Sequence, residues 1–189
     1  MLHSNINDYI VVIKNALTDP LCNLILNEFQ NSDEWMDTAI GNDGAINKQI
    51  RSCQTIVTSY PHVIEKNKKV RLKIDKYIMV SANECIKKYN DKFSHCKIEE
   101  DSGYELLRYP EGCFYIEHTD SFKARPRAVS CSFILNDNFE GGEFAFFNRE
   151  LKYTLKKGDA LMFPSNFMYP HEVMPVTKGT RYSIITWFI

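Results

Sequence analysis

The chain has 189 residues, enough for one well-buried domain and short for two. Its 23 basic and 24 acidic residues nearly cancel, so no broad field for nucleic acid or an anionic membrane is expected. Apolar residues make up 44%, yet no run of about 18 of them occurs, and no membrane-spanning helix is expected.

The first residues, Met1 to Tyr9, offer neither a basic leader nor an apolar core, so no secretory signal is expected and a cytoplasmic location follows. Thr18-Asp19-Pro20 can cap a helix, with Leu21, Leu24, Ile25 and Phe29 at helical spacing. Met36–Lys48, with Asn42 to Asn47 inside it, is expected to be a loop, and Arg51–Ser59 a strand. A longer helix is expected over Glu65–Tyr89. Val70, Ile74, Tyr77, Ile78, Ala82, Cys85 and Ile86 form its apolar side, and Lys66, Lys68, Lys69, Arg71 and Lys73 its solvated face.

From Tyr104 the helical period disappears. Short β-rich runs are expected at Tyr104–Tyr109, Phe114–His118, Ala128–Leu135, Glu143–Phe147, Leu151–Leu155, Ala160–Phe163, His171–Val176 and Thr180–Ile189. Turn residues separate them, among them Pro110-Glu111-Gly112, Gly141-Gly142 and Lys157-Gly158-Asp159. Many short strands at this spacing predict a sandwich or barrel, with the earlier helices covering one sheet. No linker or repeat divides the chain, so a single domain over 1–189 is expected, with helical support in 1–100 and a β-core from about 104. The six cysteines form neither CxxC nor CxC and are expected to be reduced packing residues, Cys113 and Cys131 included.

Two of the five histidines stand out. His118-Thr119-Asp120 closes one strand candidate, and His171 opens another 53 residues later. Residues two apart on an extended chain point the same way, so His118 and Asp120 can present a nitrogen and an oxygen to one point. A histidine from a neighbouring strand would complete a two-histidine, one-carboxylate face, which leaves coordination positions open. His3, His62 and His95 have no such partners. Ten residues beyond His171 comes Arg181, in Thr180-Arg181-Tyr182-Ser183. Arg181 and Ser183 share one face of a strand. An arginine turned into a β-barrel needs a carboxylate, from the protein or from a dicarboxylate ligand.

These spacings resemble the iron(II)/2-oxoglutarate-dependent dioxygenases, and within them the prolyl 4-hydroxylases. The similar stretches are Leu106 to Asp120, Arg127 to Asn136, Gly141-Gly142-Glu143, Lys157 to Pro164 and Pro170-His171. The resemblance implies a double-stranded β-helix (jelly-roll) with helices packed on the major sheet. It implies iron(II) on His118, Asp120 and His171, with 2-oxoglutarate and dioxygen as co-substrates and ascorbate as a further candidate. Arg181 would meet the far carboxylate of 2-oxoglutarate, assisted by Ser183 and Tyr109. Tyr115, Arg127 and Trp187 match positions near a peptide substrate; Tyr115 and Trp187 can equally be core aromatics, and Arg127 an exposed arginine.

The resemblance has departures. Collagen-type relatives carry lysine where this chain has Arg181, whereas the oxygen-sensing type carries arginine. Ile134 stands where several relatives place a tyrosine that touches 2-oxoglutarate. The implied activity is hydroxylation of a peptidyl residue, proline foremost, with a free amino acid or small molecule as the alternative substrate. A catalytically silent metal- or ligand-binding barrel is the alternative from another class.

Overall fold

The computed structural model describes residues 5–40, 44–124 and 126–189. His3, Asn42, Asp43 and Arg125 lie outside the described residues. After a short 3-10 turn at Ile6–Tyr9 come β1 (Val11–Ile13), α1 (Asp19–Phe29), β2 (Met36–Asp37), β3 (Gln54–Val57), α2 (Pro61–Glu65) and α3 (Lys68–Lys92). The strands β4 (Glu105–Pro110), β5 (Tyr115–His118), β6 (Val129–Ile134), β7 (Glu140–Gly141) and β8 (Phe144–Phe146) follow. The chain ends with β9 (Leu151–Tyr153), β10 (Ala160–Pro164), β11 (His171–Val173), β12 (Val176–Lys178) and β13 (Thr180–Phe188).

A seven-stranded sheet runs in the order β1-β10-β6-β13-β4-β3-β2, and a four-stranded sheet in the order β5-β11-β8-β9. All their pairings are antiparallel. Both faces of the larger sheet are covered, so its central strands are apolar almost throughout rather than alternating. Along β13, Ile184 and Phe188 face the helices, while Ile185 and Trp187 face the smaller sheet. The helix-side core takes Ile25 and Phe29 of α1, Ile74, Ile78, Ala82 and Cys85 of α3, and Leu106, Cys131, Phe133 and Met162 of the strands. The second core, between the sheets, takes Leu107, Tyr109, Phe144, Phe146, Leu161, Phe163 and Val173. This is the expected mainly-β architecture with helices on the major sheet.

The capped start of α1 is as expected, with the Thr18 Oγ1 accepting from the Leu21 N–H at 3.4 Å. Several expectations need correction. The second helix, α3, begins at Lys68 rather than about Glu65, because Asn67 takes a left-handed conformation (φ 57°) at its N-cap, and the short α2 precedes it. Tyr77 is 45% exposed rather than in the apolar stripe, and Arg71 is 6% exposed rather than solvated. Arg71 turns inward because Glu28 and Glu34 accept from its Nε and Nη2 at 2.6 and 2.7 Å. The run His171–Val176 is two strands, since β11 pairs in the four-stranded sheet and β12 turns away at Pro175 to pair with β7. Finally, β1 was not anticipated, and Met36–Asp37 pairs with β3 instead of belonging to a loop. Among the described residues, no helix is long and apolar enough to cross a membrane.

Candidate active site

The barrel interior brings the three expected ligand residues together. His118 ends β5 and His171 opens β11, and the two are direct cross-strand partners. Asp120 lies beyond the end of β5, where Ser165 holds it: the Ser165 carbonyl accepts from the Asp120 and Ser121 N–H groups at 3.2 and 2.9 Å. One nitrogen or oxygen from each of His118, Asp120 and His171 lies within 4.8 Å of the others, close enough to share one metal ion. Nε2 of His118 is 3.5 Å from Asp120 Oδ1, and Nε2 of His171 is 3.6 Å from Asp120 Oδ2.

Both imidazoles are oriented by the backbone. The Nδ1 atom of His118 is 2.9 Å from the Ile116 carbonyl, and that of His171 is 3.1 Å from the Tyr169 carbonyl. A carbonyl only accepts, so each Nδ1 carries the proton and each Nε2 keeps its lone pair for a metal. Phe163 and Phe146 flank His171 with ring centroids at 4.5 and 5.7 Å. Burial, reinforced by the nearby His118, pushes the His171 pKa down to about 4, so its imidazole is neutral at physiological pH, the form that ligates. Burial opposes ionisation of Asp120, but His171, His118 and the Ser130 hydroxyl hold its carboxyl well below the usual carboxylate range.

Arg181 is 1% exposed and points into the same interior. Its Nη1 donates to Ser183 Oγ at 3.0 Å, while Nη2 has no hydrogen-bond partner. Among the described residues no carboxylate pairs with it. Burial therefore pushes the guanidinium below its ordinary pKa. Its carbon lies 5.3 Å from the ring centre of Tyr109, its cross-strand partner on β4, and 5.1 Å from that of Phe144. Gly142 makes room for it: a Cβ there would sit 3.0 Å from the Arg181 Cδ. Ile134 lines the same small cavity. A buried cation with an unpaired N–H fits a bidentate carboxylate, and three convergent N/O donors fit a divalent metal.

The remaining expected positions cluster around the metal-ligand triangle. The Tyr115 ring stacks on His118 with centroids 3.5 Å apart. Arg127 donates from Nη1 to the Asp120 carbonyl at 3.0 Å and lies 3.4 Å over the centre of the Trp187 ring. It is half-buried, not an exposed strand arginine. Trp187 is 8% exposed and belongs to the inter-sheet core, but its Nε1 has no partner. Cys131 is the expected packing residue: it is a free thiol buried on the helix side of β6 in the same core as Cys85 of α3, facing away from the site. His62 and His95 are exposed and remote from the cluster.

Two residues escaped the sequence reading. The Ser130 hydroxyl donates to Asp120 Oδ2 at 2.6 Å and lies 2.8 Å from Ser165 Oγ. The signal was Ser130 and Ser132 alternating within an apolar strand, Val129–Ile134, which places hydroxyls on the barrel side.

Residues 104–189 match the 2OG-Fe(II) oxygenase superfamily. A PKHD-type hydroxylase of Idiomarina loihiensis is 37% identical over 88 residues, which are 43% of this chain and 39% of that protein. Human Egl nine homolog 1 is 30% identical over 120 residues, 59% of this chain and 28% of that protein. The chain thus spans about two fifths or less of the length of these relatives. In fold it is similar to a prolyl hydroxylase from Trichoplax adhaerens, solved with a hypoxia inducible factor oxygen degradation domain peptide fragment. The TM-score is 0.77 at 22% identity, covering 96% of this chain and 83% of that one. A Pseudomonas putida prolyl-4-hydroxylase gives a TM-score of 0.65 at 20% identity, covering 95% and 91%. Residues 104–189, just under half of the chain, thus match the 2OG-Fe(II) oxygenase superfamily, and the neighbours in sequence and in fold are prolyl-hydroxylase-like.

Proposed function

We propose that this chain is an iron(II)- and 2-oxoglutarate-dependent hydroxylase acting on a peptidyl residue, with proline the leading substrate. The observation that carries this reading is Arg181: a fully buried guanidinium, short of a carboxylate, in the same interior as the His118–Asp120–His171 cluster. A ligand with an oxo-acid at one end and a carboxylate at the other answers both needs. When bound, iron(II) supplies the redox chemistry that converts 2-oxoglutarate and dioxygen to succinate and carbon dioxide, the second oxygen atom entering a C–H bond.

The chain's own residues hold and orient. His118, Asp120 and His171 would hold the metal with three donors and leave its remaining positions open for ligands. Arg181 and Ser183 bind the far carboxylate, with Tyr109 alongside. Phe144, Phe146 and Phe163 keep the interior around His171 apolar, which strengthens each polar contact inside it. Arg127 ties the Asp120 carbonyl to the Trp187 ring and so stiffens the metal-side wall.

A peptide substrate is supported by apolar residues exposed next to the ligand residues in sequence. Phe167 is 81% and Met168 46% exposed just before His171, and Ile116 is 42% exposed just before His118. The prolyl hydroxylase of similar fold from Trichoplax adhaerens was solved with a peptide fragment. The test is conversion of 2-oxoglutarate to succinate by the iron(II)-loaded chain, then a search of a proteome-derived peptide library for a gain of one oxygen. Coupling to peptides supports the reading, and coupling only to free amino acids or other small molecules moves the substrate class. No succinate under any of these conditions leaves a silent metal-binding barrel.

A further inference from the structure

The turn between β8 and β9 departs from ordinary backbone. Phe147, Asn148 and Arg149 take φ values of 54°, 55° and 69° in succession, a left-handed run that L residues resist. Such a run persists where surrounding contacts fix it. Each of the three residues meets a segment next to a candidate ligand histidine. The Phe147 N–H donates to the Pro170 carbonyl at 3.5 Å, and its ring lies 6.1 Å from that of Tyr169. The Asn148 N–H donates to Glu117 Oε2 at 3.3 Å. Arg149 forks onto Glu172, donating from Nε at 2.5 Å and from Nη2 at 3.0 Å.

The two ligand strands are irregular at this place. His118 pairs with His171 and Tyr115 with Val173, so Ile116 and Glu117 of β5 stand opposite Glu172 alone. The extra residue on β5 is a β-bulge, a device that re-aims a side chain. Here the Ile116 carbonyl within the bulge holds the His118 Nδ1 at 2.9 Å. His171 depends in the same way on the Tyr169 carbonyl, one residue before Pro170. Glu172 points away from the barrel, since its neighbour Val173 packs between the sheets and strand residues alternate. It is nevertheless only 8% exposed. Glu117 and Glu172 thus bring two carboxylates onto facing strands, where like charges repel. The turn supplies a guanidinium to one and an N–H to the other.

We propose that the left-handed turn Phe147–Arg149 is an outer clamp that fixes the bulge and the Tyr169–Pro170 corner, and so sets the orientation in which His118 and His171 meet a divalent metal. The inference rests on the metal reading of His118, Asp120 and His171, and not on the co-substrate. Arg149, Asn148, Glu117 and Glu172 act through the two histidines and are positioning residues. Most of the effect falls on Arg149 and Glu172, because their contact is charge-assisted and bidentate. Without Arg149 a largely buried carboxylate must turn out to water, which pulls on β11 beside His171.

The test is manganese(II) titration of the metal-free full chain. A second readout is the ligand-field absorption of the cobalt(II)-loaded chain, which follows the angles among the ligands rather than the stability of the fold. Arg149→Ala should weaken manganese(II) binding about threefold to tenfold, below the range for a direct partner of a ligand, and shift the cobalt(II) bands. Arg149→Lys keeps the charge without the fork and should recover part of both. Glu172→Gln should cost about as much as Arg149→Ala, and the double variant no more than the larger single loss. Lys178→Ala removes an exposed pair with Glu140 on β7 and should match the parent in both readouts. Should Arg149→Ala fail to fold, Glu117→Ala removes the acceptor of the Asn148 N–H and should weaken binding about threefold. Parent-like affinity and an unchanged cobalt(II) spectrum in Arg149→Ala, or in Glu117→Ala where it stands in, overturn the clamp. Additive losses in the double variant, or an equal loss in Lys178→Ala, overturn it too. His118→Ala separates the two failures. If it retains metal, the metal reading falls and takes the clamp with it; if it loses metal while Arg149→Ala matches the parent, only the clamp falls.

Discussion

Ser130 donates its hydroxyl proton to Asp120 Oδ2 at 2.6 Å from the barrel face of β6, a strand buried at every residue. The same residue is the cross-strand partner of Trp187 on β13, so the carboxylate is oriented by the major sheet and not only by its own loop. Removing this donor frees Asp120 to rotate and lets its pKa rise. Ser130→Ala should therefore lower metal affinity by roughly tenfold to a hundredfold while the fold is kept. Manganese(II) titration would measure it, and parent-like affinity would show that the histidines alone orient Asp120.

His118→Ala and His171→Ala should each abolish metal retention with little change in the far-ultraviolet circular dichroism. His62→Ala and His95→Ala should behave like the parent, since both imidazoles are exposed. Metal analysis after gel filtration would check all four. Native-like iron content in either of the first two variants would remove this metal assignment.

Arg181→Ala should spare metal binding and weaken 2-oxoglutarate binding by about 3 kcal/mol, roughly a hundredfold. Arg181→Lys should fall between, keeping the charge and losing the planar fork. Ser183→Ala should be milder than either. Following the absorption of the anaerobic iron(II) protein during titration gives all three values.

The Arg71 cluster makes a separate prediction about stability. Its guanidinium meets Glu28 and Glu34 with all three side chains largely buried, at 5%, 11% and 12% exposure. Arg71→Ala would leave two carboxylates facing each other without a cation. The expected cost is about 3 kcal/mol in urea unfolding, from the uncompensated charges rather than from lost packing. A loss below about 1 kcal/mol, the size of a surface pair, would show that the cluster is effectively solvated.

Thiol reactivity should follow burial. Burial pushes the Cys22 pKa up to about 11, and Cys22, Cys53, Cys85 and Cys131 are all buried. Cys113 and Cys96 are partly exposed and should be alkylated well ahead of these four at about pH 8, Cys96 the slower because burial pushes its thiol up. Peptide mapping of a brief iodoacetamide reaction would show the order. Early labelling of Cys131 would mean that the contact between β6 and α3 opens readily.

Periodicity carried most of the β-core. Strands β4, β5, β6, β10 and β13 lie within about one residue of their expected places, because each alternates or runs apolar between strong turn residues. Where a strand has no pattern of its own, as in the three-residue β1 or the two-residue β2, only a partner defines it. Arg71 shows the same limit on a helix. The other cations near it in sequence, Lys68, Lys69 and Lys73, are lysines, and nothing local distinguishes the one that two distant glutamates draw inward.

The sequence by itself determined the chemistry available: an HxD pair, a distal histidine, and an arginine ten residues further on with a serine on its strand face. Those are properties of residue type and short spacing, which strand geometry converts into direction. Only the tertiary structure decided that His118 and His171 are cross-strand partners, that Ser130 and Ser165 brace Asp120, and that Arg181 meets no acid among the described residues. Hydrogen bonds and buried charges depend on which strands become neighbours, and that choice is made by burial of the whole sheet, not by any local stretch of sequence.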